Sequence, residues 1–82
     1  QDYTKAIMVD PNYAVAYNNR GSAKFDKADF KGAIEDYSKA IEIDDSNSST
    51  FSNRAWAYRM QGQYIMALKD VQYSKELKYG TR

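Results

Sequence analysis

The sequence predicts an all-α fold of about five helices, paired antiparallel and stacked side by side as a short α-solenoid. Three observations predict it. The phrase DYTKAIMVDPN at 2–12 returns as DYSKAIEIDDS at 36–46, a displacement of 34 residues. Each period carries two apolar stripes with helical spacing. The stripes are joined by connectors of two to five residues, which force neighbouring helices antiparallel.

The repeat is visible across the whole chain. A shift of 34 carries Asp2 onto Asp36 and Asp70, and Tyr3 onto Tyr37. The runs Lys5-Ala6-Ile7 and Asn19-Arg20 fall on Lys39-Ala40-Ile41 and Asn53-Arg54. Ala23 matches Ala57, Ala33 matches Ala67 and Glu42 matches Glu76, with conservative pairs at Tyr17/Phe51, Phe30/Tyr64 and Ile34/Leu68. A fixed period in this range is the mark of stacked repeats, in which one unit hides the apolar face of the next.

The elements follow in order. Helices are expected at roughly 1–9, 13–27, 30–43, 47–60 and 64–78. In the third, Phe30, Ala33, Ile34, Tyr37, Ala40 and Ile41 lie on one face. In the second, Ala14, Tyr17, Gly21 and Phe25 form a looser stripe. Asp10 can cap the second helix and Pro11 suits its first turn. The matching DDSNSS is rich in capping residues, and Gly62 supplies the positive φ that ends the fourth helix. The chain reads as one domain: 1–13 the second helix of a partial repeat, then full repeats at 14–47 and 48–82. It opens at Gln1 inside the repeated phrase, as a piece of a longer array would.

Composition narrows function. Twelve basic and eleven acidic residues leave a net charge of +1, so no broad basic surface is expected to take nucleic acid. Apolar runs such as AVAY and YIMAL are too short for a bilayer, and no membrane partner is expected. Without cysteine or histidine the chain has no thiolate, no disulfide, no Cys/His zinc site and no histidine base. No cofactor, metal or catalytic residue is expected. The acidic pairs Asp26/Asp29 and Asp44/Asp45 read as turn and cap chemistry, and an enzyme is the weakest reading. No segment carries an address; cytoplasmic is the default location.

The 34-residue helix–turn–helix unit resembles the tetratricopeptide repeat. That pattern asks for an aromatic, a leucine, a small residue, tyrosine, alanine, phenylalanine and proline at set places. Residues 14–47 offer Tyr17, Arg20, Gly21, Lys24, Ala33, Tyr37 and Asp45 there. Residues 48–81 offer Phe51, Arg54, Ala55, Tyr58, Ala67, Val71 and Tyr79. The two arginines and Lys24 depart from the pattern; their stems can cover apolar surface while the charge reaches outward.

The resemblance implies a right-handed solenoid whose first helices line a concave, peptide-binding surface. Carried onto this chain, that surface holds Asn18, Asn19, Ser22 and Phe25, then Ser49, Ser52, Asn53, Trp56 and Arg59, with Val15 and Met60 beside them. Trp56 stands where the first unit has Ser22, either as a partner anchor or as an indole laid on a neighbouring helix. Asn19 and Asn53 either hold a partner's backbone or join adjacent units. Asp36 and Asp70, like Asp2, have Arg20 and Arg54 as candidate mates. The basic side chains with which some repeats of this kind clamp acidic chaperone tails are missing. Ile65, Met66 and Tyr73 stand where the other unit has Lys31, Gly32 and Lys39, and are candidate oligomer contacts. The expected partner is a protein or peptide; the alternative is self-assembly as a homodimer.

Overall fold

A computed structural model describes residues 3–10 and 13–80. Among them are five helices and no strand: α1 Tyr3–Val9, α2 Ala14–Asp26, α3 Phe30–Ile43, α4 Ser48–Met60 and α5 Tyr64–Tyr79. Each lies where the apolar periodicity puts it, to within a residue or two of its described ends. Sequential helices pack on one another, and α4 also touches α2, giving a slab of 35 × 27 × 16 Å.

The hairpins that close the two full units are built alike. After α2, Ala28 N donates to Phe25 O and Asp29 N to Lys24 O. After α4, Gly62 N donates to Arg59 O and Gln63 N to Tyr58 O. Both are Schellman closures, which need a left-handed residue just past the helix. Gly62 meets that need at φ 75°, as the sequence suggested, and Ala28 meets it at φ 63° despite its Cβ.

Caps explain the other boundaries. The Asp29 carboxylate accepts from Gly32 N at 3.0 Å, and Asn47 Oδ1 accepts from Ser49 N at 3.0 Å. Asp44 closes α3 by accepting from the amide and hydroxyl of Ser46. The start of α2 differs from expectation. Its N-cap is Tyr13, whose side chain makes no capping bond, so Asp10 lies three residues too early to cap. Asp10 instead ends α1, donating its amide to Ala6 O. Pro11 and Asp2 lie outside the described residues.

The core sits between the units. Ala33 and Ala57 are fully buried with Tyr37, and Phe25 and Ile34 pack against that cluster. Ala55, Tyr58 and Ala67 form a second cluster, which also touches Ile34. Small residues at Ala33 and Ala57 let α3 and α4 approach closely. The Tyr37 ring lies on α2 at Gly21, where a Cβ would come within 2.8 Å of it. Its hydroxyl bonds Ser22 Oγ at 2.9 Å, and burial pushes the phenol pKa up.

Each unit is pinned by one bidentate ion pair. Arg20 holds Asp36 and Arg54 holds Asp70, every bond at 2.7–2.8 Å. The arginines thus occupy the family's leucine place for a reason: their guanidinium groups lie over aromatic rings while their forks satisfy a buried carboxylate on the paired helix. Lys24 adds a third contact, Nζ to Asp36 Oδ2 at 3.2 Å.

Candidate functional site

Side chains from α2, α3 and α4 enclose a hollow of about 500 Å³. Ser22, Phe25 and Asp26 come from α2, Tyr37 from α3, and Asn53, Trp56 and Met60 from α4. The helical spacing of 22, 25 and 53, 56, 60 puts these residues on one side of their helices. Phe25 is fixed edge-on against Phe30, centroids 5.1 Å apart. The polar floor is already bonded within itself, through Ser22 to Tyr37 and through Asn53 Nδ2 to Asn18 Oδ1 at 3.4 Å. Trp56 stands at the mouth, 56% exposed, with the Arg59 guanidinium 5.2 Å over its ring.

A second hollow, about 380 Å³, lies between α4 and α5. Ser52, Ala55, Trp56 and Arg59 form one wall; Tyr64, Ala67, Leu68 and Val71 form the other. Trp56 therefore separates the two spaces.

The expected concave residues are distributed between them. Ser22, Phe25, Asn53 and Trp56 meet in the first hollow, while Ser52 and Arg59 face the second. Ser52 Oγ is engaged with Ser74 Oγ at 2.7 Å. Asn18 serves as a hydrogen-bond acceptor between units. Asn19 and Ser49 are exposed and line neither hollow. Of the candidate oligomer contacts, Ile65 and Met66 are exposed, but Tyr73 is half-buried with its ring 4.5 Å from that of Phe51.

Sequence reasoning did not find Asp26 or Tyr37 at the first hollow, nor Tyr64, Leu68 and Val71 at the second. Leu68, the repeat image of Ile34, is 69% exposed. The signal was present in the repeat itself: α4 covers Ile34, and among the described residues no helix covers the corresponding Leu68. Among those residues no cluster of three or more His, Cys, Asp or Glu gathers for a metal, and no helix is long and apolar enough to cross a membrane.

Antiparallel helix pairs recurring every 34 residues and sharing one core define a helical-repeat protein. Two tetratricopeptide-repeat models match, one over residues 14–47 and one over 36–69, and the chain belongs to the tetratricopeptide-repeat family. Repeats of this family generally mediate protein–protein interaction. Among solved structures, the crystal structure of MamA is similar with a TM-score of 0.91 and 26% identity, covering 95% of this chain and 46% of that one. The chain thus spans about half the length of that relative. No curated protein sequence matches it significantly.

Proposed function

We propose that the chain holds a protein or peptide segment in the α2–α3–α4 hollow, without catalysing a reaction. The observation that carries this reading is Trp56: a large ring, mostly exposed, at the mouth of a preformed space. Burying such a ring against a partner supplies much of the energy of a typical interface. Phe25 and Met60 give apolar walls. Asn53 offers an amide that both donates and accepts, suited to a partner's backbone. Because the hollow is braced from within, little reorganisation accompanies capture.

The test is affinity capture from the source cells with wild-type protein and Trp56→Ala side by side, with circular dichroism on both. The reading expects proteins retained by the wild type and lost by a variant of equal helicity. Loss of helicity in Trp56→Ala would make the ring a folding residue and remove the site.

A second reading, self-association, is favoured by one observation: Ile65 is 72% exposed, next to exposed Met66. Light scattering across a concentration series decides it. A mass that stays monomeric excludes this reading, and a dimer dispersed by Ile65→Lys supports it.

A further inference from the structure

Among the residues lining the α2–α3–α4 hollow only Asp26, the last residue of α2, is charged; Phe25, Tyr37 and Trp56 surround it with aromatic rings. The fold does not call for a carboxylate there. The repeat image of Asp26 is Met60, so the second unit does without an acid at that place. A negative charge in the last turn also opposes the helix dipole. Among the described residues Asp26 forms no ion pair, and Lys24, two residues before it, is engaged by Asp36 at 3.2 Å. The charge of Asp26 is felt at the floor of the hollow: burial does most to push the Tyr37 phenol pKa up, and Asp26 adds to it.

We infer, building on the holding role proposed for this hollow, that it takes a peptide segment through an arginine side chain, whose guanidinium meets the Asp26 carboxylate and lies against the Phe25 and Trp56 rings. A carboxylate beside aromatic walls attracts a cation in two ways at once, by charge-assisted hydrogen bonds and by the ring quadrupoles. Arginine suits both better than lysine. Its flat fork makes two parallel bonds to one carboxylate, it stacks on rings, and it is less strongly hydrated than an ammonium when it leaves water. The chain holds its own arginines this way. Arg20 is bonded to Asp36 with its guanidinium over Tyr17, and Arg54 to Asp70 with its guanidinium over Phe51 and Tyr58. The hollow offers the same two components, a carboxylate and aromatic rings, to a cation from outside. Arg59, over the Trp56 ring, lines the α4–α5 hollow and not this one.

The probe is a library of random peptides displayed on phage, selected in parallel on the intact wild-type chain, on Asp26→Asn and on Trp56→Ala. Asp26 is exposed, and removing its charge relieves the end of α2, so Asp26→Asn should keep wild-type helicity by circular dichroism. The expected result is arginine enriched at one position of the peptides that the wild type retains, and no such enrichment on Asp26→Asn. A synthetic tryptophan-free binder can then be followed by fluorescence, because Trp56 is the chain's single tryptophan. Its affinity should fall about tenfold when the arginine becomes citrulline, which keeps the shape and loses the charge, and by less when it becomes lysine. Asp26→Lys should lose the arginine peptide and accept one with glutamate in its place. Peptides retained through Trp56 but without enriched arginine, or indifferent to Asp26→Asn, overturn the inference and leave the holding role standing. An arginine replaceable by citrulline or lysine without loss overturns it as well. If no peptide is retained through Trp56, the inference and the holding role fall together.

Discussion

Arg20 and Asp36 face each other across the first helix pair, Nε to Oδ2 at 2.7 Å and Nη2 to Oδ1 at 2.8 Å, and Arg54 repeats the arrangement on Asp70. Asp36 and Asp70 are only 4% and 5% exposed. Removing a cation would strand a carboxylate in the core.

Arg54→Ala should therefore destabilise the chain by about 3 kcal/mol, measured by urea unfolding. Arg54→Lys should recover only part of that loss, since an ammonium cannot make the two parallel bonds. A variant as stable as wild type would show that water reaches Asp70.

Acid should release the same clamp in the first unit. Burial alone would raise the Asp36 pKa, but hydrogen bonds from Arg20 and Lys24 outweigh it and hold the carboxyl below its usual range. The folded pKa lies below the unfolded one, so this contribution is complete above the ordinary carboxylate pKa of about 4 and lost as pH falls through the folded value. Asp36→Asn should flatten the acid limb of a thermal-melt series. An unchanged limb in that variant would assign acid sensitivity to other groups.

The two hairpins make a matched pair of substitutions. Ala28 holds φ 63° with a Cβ and Gly62 holds φ 75° without one. Left-handed backbone costs an ordinary residue about 1 kcal/mol, and nothing crowds the Gly62 Cβ position. Ala28→Gly should stabilise by up to about 1 kcal/mol, and Gly62→Ala should destabilise by a similar amount. Equal melting temperatures for all three proteins would refute the backbone argument.

Gly21 and Tyr37 should couple in sign. Gly21→Ala alone adds helix propensity but drives a methyl into the Tyr37 ring, for a net loss of about 1 kcal/mol. In a Tyr37→Val background the same change should stabilise by about 1 kcal/mol, because the second unit pairs Ala55 with Val71. A double-mutant cycle without that reversal would mean the ring moves aside freely.

The repeat made much of this legible. The two arginines depart from the family pattern at equivalent places, and an aspartate recurs on the paired helix, so these residues could be offered as candidate mates from their positions. What stayed hidden depends on neighbours. Ala28 has no sequence mark of a left-handed residue; only the closure around it demands that conformation. Leu68 is the image of Ile34, which α4 partly covers, yet whether α4's counterpart exists beyond it is not written in residue 68. Tyr37 reaches the first hollow from the helix behind, through the space left by Gly21, a tertiary fact invisible to a face-by-face reading. Tyr73 was assigned outward because its image is Lys39, but the ring of Phe51 gives it a place within its own unit.

The indole of residue 56 is a party wall. Any occupant that tilts it to widen one chamber narrows the other, so two guests at this repeat would sense each other through one torsion. By thermodynamic reciprocity, the penalty or help each receives is identical.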